Sequence, residues 1–189
     1  METALIVTCN EKSIPFFTEM LNAASIDQIT VLRSCGEARR LLLEREFDLV
    51  VINAPLKDET GESFSRHVAG RGTCQVMLLV NSAYFEEVSA ATEEAGVLTV
   101  SKPVNKGVFW SALKLAKASF NRLRSMRREN SQLKQKIEDI RIVDRAKCIL
   151  ISYLNMSEQE AHRYIEKQAM DLRTTRRAVA ESLLRTYES

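Results

Sequence analysis

The sequence predicts two joined architectures: a doubly wound α/β domain with a five-stranded parallel sheet, followed by an all-helical segment. Three observations carry this. Five short runs rich in Val, Ile and Leu (residues 4–7, 29–32, 49–52, 76–80 and 97–100) are continuous rather than alternating, as strands buried on both faces of a parallel sheet read. Stretches with helical spacing lie between them: Ile14, Phe17, Met20 and Leu21; then Ala38, Leu41 and Leu42; then Phe64 and Val68. Last, all six glycines and all three prolines lie at or before Gly107, so the final 82 residues contain neither. Strand alternating with helix five times over predicts a flavodoxin-like fold. A long run without breakers, rich in Leu, Ala, Arg, Lys, Glu and Gln, predicts nearly continuous helix.

The charge divides at the same point. Residues 1–107 hold 10 Lys and Arg against 15 Asp and Glu, whereas residues 108–189 hold 17 against 10. An acidic module therefore feeds a basic helical one, which suggests an output aimed at a polyanion. The apolar stretch at the N-terminus is too short for a signal peptide, and no window approaches 18 apolar residues, so a soluble cytoplasmic protein is expected. Cys9, Cys35, Cys74 and Cys148 are scattered and only His67 and His162 accompany them, which predicts free thiols rather than zinc or disulfides. No cluster suited to catalysis is evident, and neither enzymatic activity nor a cofactor is expected.

In a doubly wound sheet the functional crevice lies beyond the carboxyl ends of the strands. The Leu5-Ile6-Val7 opening, residues 47–52 leading to Asn53 with Gly61 eight positions later, and Lys102-Pro103 after the fifth run together resemble a response-regulator receiver domain over roughly residues 3–120. The resemblance implies an acidic pair after the first strand, a phosphoacceptor aspartate after the third, a hydroxyl after the fourth and a lysine after the fifth. Here those places fall on Thr8 and Cys9, on Asn53, on Asn81 with Ser82 beside it, and on Lys102. An amide cannot accept a phosphoryl group as a carboxylate does, and a site without carboxylates attracts Mg²⁺ poorly. Glu11 lies near enough in sequence to stand in for one acidic residue. Lys102 reads either as a remnant of the phosphate partner or as an exposed lysine before a turn proline. The aromatic switch position falls on Thr99. The expectation is a pseudo-receiver.

With Asn130 at an a position, Leu123 and Ile137 also fall at a, and Met126, Leu133 and Ile140 at d, a two-stranded seam over residues 123–140. Asn130 then fixes register in a homodimer; the alternative is one amphipathic helix folding back on its own chain. The flanking arginines Arg122, Arg124, Arg127 and Arg128 read as a solvated face, with nucleic-acid contact as the other reading.

Ser157-Glu158-Gln159-Glu160 is a capping box, and Thr174 or Thr175 caps a further helix. Three helices are expected, one ending near Leu154, one over about 158–171 and one over about 175–187. Apolar faces run through Ala146, Ile149, Leu150 and Tyr153, through Ala161, Tyr164, Ile165 and Ala169, and through Val179, Leu183 and Ala178. Residues 145–150, 156–161, 164–171 and 179–181 resemble the ANTAR domain, the RNA-binding module of bacterial transcription antiterminators. The resemblance implies binding of tandem RNA hairpins in leader transcripts. Lys147, His162, Arg163, Lys167, Arg173, Arg176 and Arg177 are the candidate RNA contacts, although Lys147, Lys167 and His162 also read as ordinary surface residues.

The expected organisation is a pseudo-receiver at 1–120, a coiled-coil linker at 121–143 and an ANTAR domain at 144–189. The expected function is RNA-binding antitermination as a homodimer, with a regulatory protein or a small ligand at the receiver as routes of control. The alternative is a protein-interaction adaptor that touches no nucleic acid.

Overall fold

The computed structural model describes residues 1–187. By internal contacts the chain forms two compact units, Met1–Arg124 and a second beginning at Ser125. In the first, strands β1 (Thr3–Thr8), β2 (Gln28–Leu32), β3 (Leu49–Asn53), β4 (Gln75–Asn81) and β5 (Leu98–Lys102) form one sheet in the order β2-β1-β3-β4-β5. Every neighbouring pair is parallel, and Thr8 stands opposite Asn53 at the carboxyl ends of β1 and β3. Successive connections leave β1 in opposite directions, so the crevice opens there.

Period-2 alternation sends the strand residues into two layers. Leu5, Val7, Val50 and Ile52 pack with Ala38, Phe64 and Val68 from helices α2 (Cys35–Glu44) and α3 (Glu62–Gly70), with α4 (Phe85–Thr92) adding Phe85 and Val88. Ala4, Ile6, Leu49 and Val51 pack with Phe17 and Leu21 of α1 (Ile14–Ala23) and with Phe109 and Leu113 of α5 (Lys106–Leu154). Gly61 has φ of 88°, a conformation that favours glycine, and an added Cβ would lie a tight 3.1 Å from Ile52 Cγ2. β5 begins at Leu98 rather than at Val97, because Gly96 turns the chain at φ 77° and the Val97 amide donates to Thr92 O.

The helical segment follows the sequence closely. α5 runs unbroken for 49 residues, followed by α6 (Glu158–Asp171) and α7 (Arg176–Tyr187). Helices end without glycine or proline because Asn155 and Arg173 adopt φ of 50°, left-handed turns that a non-glycine residue enters at some cost. Ser157 Oγ accepts from Glu160 N at 3.3 Å while Ser157 N donates to Glu160 Oε2 at 2.8 Å, closing the capping box. Thr175 Oγ1 accepts from Ala178 N at 3.2 Å and starts α7.

Ala146, Leu150, Ala161, Ile165, Ala169, Val179, Ala180 and Leu184 form the core of the second unit. Two expectations are corrected. Tyr153 is 64% exposed, one residue before α5 ends, and its ring lies on Tyr187 at a centroid distance of 5.5 Å rather than in the core. On α7 the buried face runs through Val179, Ala180 and Leu184, leaving Leu183 and Ala178 at its half-buried edge. No helix among the described residues is long and apolar enough to cross a membrane.

Small cores feel single truncations strongly. Leu150→Ala should cost about 2–5 kcal/mol and Ser157→Ala about 1 kcal/mol in urea unfolding followed by helical circular dichroism. Equal effects from the two would contradict this packing.

Candidate nucleic-acid interface and receiver crevice

The crevice at the ends of β1, β3 and β5 is a cleft of about 480 Å³ lined by Cys9, Lys12, Ser13, Phe16, Asn53 and Lys102, among others. Its polar floor is a closed hydrogen-bond network. Asn53, 6% exposed, donates through Nδ2 to Thr8 Oγ1 at 3.0 Å and to Ser13 Oγ at 3.2 Å. Lys102 Nζ donates to Asn53 Oδ1 at 3.2 Å and also to the Ala54 carbonyl. Ser13 Oγ in turn donates to Asn10 O at 2.7 Å. Burial lowers the Lys102 ammonium below its ordinary pKa, with Cys9 opposing that shift.

Thr8, Asn53 and Lys102 are thus brought together, with Cys9 at the rim, where Sγ donates to Pro55 O at 3.3 Å. Asn81 is not part of the network. It is exposed and its Oδ1 accepts from Ala83 N, capping the short turn after β4. Glu11 is also excluded, being paired with Arg33 at 2.6 Å on the surface. Thr99 shares a hydroxyl hydrogen bond of 3.0 Å with Thr92, so no aromatic rotor occupies the switch position. Ser13 was missed by sequence reading, since nothing marks one serine among polar residues before it folds beneath Asn53.

The residues present do not fit the Mg²⁺ of a receiver. Thr8, Cys9 and Asn53 offer no carboxylate, and the one amide oxygen is already engaged by the Lys102 ammonium. Among the described residues, Cys35, Asp58 and Glu59 bring three potential ligand atoms within 4.8 Å. Burial first, then Glu59 and Asp58, pushes the Cys35 thiol up to about 12, which keeps it protonated. Asp58 accepts from Cys35 N and Gly36 N, and Glu59 pairs with Arg39 at 3.0 Å, so these groups serve the start of α2.

In the second unit, α5, α6 and the start of α7 enclose a cleft of about 470 Å³ whose lining includes Ile140, Val143, Lys147, His162, Arg176 and Arg177. Four of the seven candidate RNA contacts therefore converge. Each also has an acidic partner: Lys147 with Asp144 at 2.8 Å and Glu158 at 3.4 Å, His162 with Glu166 at 3.3 Å, Arg176 with Glu166 at 3.1 Å, and Arg177 with Asp139 and Glu181, both at 2.7 Å. Arg163, Lys167 and Arg173 lie outside the cleft, exposed and without an ion pair among the described residues. Hydrogen bonds from Arg177 and then Gln135 hold Asp139 below the usual carboxylate range.

Two measurements test these environments. At pH 8, iodoacetamide should modify exposed Cys148 first and buried Cys35 last, read by peptide mass spectrometry. Because the native pKa of Asp139 is depressed, its contribution to stability is complete above the ordinary value of 3.8 and is lost as pH falls through the native value. Asp139→Asn should accordingly flatten the acid side of the stability profile below about pH 4.

Residues 131–184 match the ANTAR domain family. The chain is 26% identical over 168 residues to transcriptional regulatory protein PdtaR of Mycobacterium tuberculosis, covering 89% of this chain and 82% of that protein. Among solved structures, a two component transcriptional regulator AraC from Clostridium phytofermentans matches with a TM-score of 0.59 and 17% identity, over 66% of this chain and 98% of that one. A CheY-like response regulator receiver domain from Methanospirillum hungatei matches with a TM-score of 0.57 and 18% identity, over 67% and 98%. These neighbours share the fold of the first unit. The chain thus joins an α/β unit with the fold of receiver domains to a segment, residues 131–184, that matches the ANTAR domain family.

Proposed function

We propose that the protein is a cytoplasmic transcription antitermination regulator that binds tandem RNA hairpins in leader transcripts as a homodimer, without catalysis. The observation that carries this reading is the ANTAR match on a folded three-helix core whose cleft gathers Lys147, His162, Arg176 and Arg177. Arg163, Lys167 and Arg173 supply unpaired cations for phosphates, and the cleft's cations reach RNA by exchanging their carboxylate partners. The working limits are a pseudo-receiver at 1–120, a linker at 121–143 and the ANTAR domain at 144–189.

The dimer forms through Leu123, Met126, Asn130, Leu133, Ile137 and Ile140. The five apolar members are 45–60% exposed in the single chain, a continuous apolar stripe without cover from its own unit. Two ANTAR domains joined in this way meet two hairpins, and effective concentration raises affinity beyond that of either domain alone. Asn53 leaves no phosphoacceptor in the crevice, so control passes through a partner protein, a small ligand in the crevice or the dimerisation equilibrium.

RNA recovered with the intact protein and sequenced should be enriched in paired hairpins beside a terminator; enrichment no greater than with residues 1–120 alone would refute the function. Leu133→Asp with Ile137→Asp should convert a dimer into a monomer by analytical ultracentrifugation. Acetyl phosphate should leave the intact mass unchanged.

A further inference from the structure

The positive charge of the helical half is spread unevenly along the chain. Residues 108–136 hold eight Lys and Arg against one Glu, whereas residues 137–189 hold nine against nine. The excess therefore precedes residue 137: Lys114 and Lys117 pack within the first unit, and the stalk residues 121–136 hold six Lys and Arg against one Glu. Within the cleft Lys147, Arg176 and Arg177 are all in contact with carboxylates, while Arg163, Lys167 and Arg173 outside it are not. Arg122, Arg124, Arg127, Arg128, Lys134 and Lys136 are exposed and form no ion pair among the described residues.

A second copy of the chain would not neutralise them. In the parallel register that places Asn130 at a, Glu129 faces Lys134 of the other copy, but Arg122 faces Arg127 and Lys136 faces Arg141. Arg124 and Arg128, at b and f, point away from the seam. Two of the three flanking pairs are repulsive, so dimerisation concentrates positive charge along the stalk.

We propose that this stripe, centred on Arg127, Arg128, Lys134 and Lys136, is a second RNA-binding surface that holds the phosphate backbone without reading sequence. It deepens the function proposed above and rests on it. Residues 127–136 span about 14 Å of helix, enough for a few consecutive phosphates, and two paired stalks double the charge. The same helix continues into the ANTAR domain, so RNA is the polyanion already expected there. Arginine also favours phosphate, because its planar fork donates two hydrogen bonds at once. In this arrangement the stalk adds salt-dependent affinity and capture rate, while the ion-paired cleft supplies discrimination.

A fluorescent 20-nucleotide oligouridine, which has no hairpin, tests this by anisotropy across a KCl series with the full-length protein. The wild type should bind it. Arg124→Gln, Arg127→Gln, Arg128→Gln and Lys136→Gln combined should weaken binding at least ~10-fold near 0.1 M salt and reduce the slope of log K against log salt by about 2–3. All four side chains are exposed, and their removal takes away like-charge pairs, so circular dichroism and ultracentrifugation should find the variant folded and dimeric. A second variant with Arg163, Lys167 and Arg173 changed to Gln should retain oligouridine binding.

Unchanged affinity and slope in the stalk variant would overturn the proposal. So would oligoglutamate competing as well as oligouridine, which would point to an acidic protein partner. A wild type that selects hairpins but ignores oligouridine would refute the stalk surface and leave the function standing; one that ignores both would remove the two together.

Discussion

The rest of the molecule depends on how one uninterrupted helix covers its apolar stripe. A helix of 49 residues is about 74 Å long and draws little stability from propensity alone, so each stretch of its apolar face needs a partner. Phe109, Ala112, Leu113 and Ala116 are covered by the receiver sheet, and Ala146 and Leu150 by α6 and α7. Between them, Leu123 through Ile140 stay exposed. The helix is therefore built into two cores and leaves its middle for something outside its own units. The proposed dimer follows from that unmet requirement more directly than from the heptad pattern, which spans only a few repeats.

The crevice at the strand ends is held together by neutral groups and one ammonium. A carboxylate at residue 53 beside an acidic pair would need a cation to offset mutual repulsion, and Mg²⁺ serves that need in a working site. With an amide at residue 53 and hydroxyls at Thr8 and Ser13, the same positions satisfy one another as neutral donors and acceptors. Lys102 stays because Asn53 and the Ala54 carbonyl accept from it, which compensates the burial that lowers its pKa. The network closes on itself beneath the cleft.

Electrostatics separate the second unit into two kinds of cation. Those in the cleft between α5, α6 and α7 are held by Asp139, Asp144, Glu158, Glu166 and Glu181, an arrangement that orients each side chain. Those on the stalk have no such partners.

The sequence alone determined the element order, the parallel sheet, the end of α5, the limits of α6, the capping box and the absence of a carboxylate at Asn53. These are local properties: hydrophobic period, breakers, caps and residue identity act within a few positions along the chain. It did not determine that Ser13 closes the crevice, that Asn81 and Glu11 stand outside it, or that Tyr153 leaves the core while Ala180 and Leu184 enter it. Nor did it assign Asp139 to Arg177, 38 residues away. Those outcomes rest on which side chains the fold brings within hydrogen-bonding or packing distance, and only the tertiary structure decides that, because such energies depend on separation in space and not on separation in sequence.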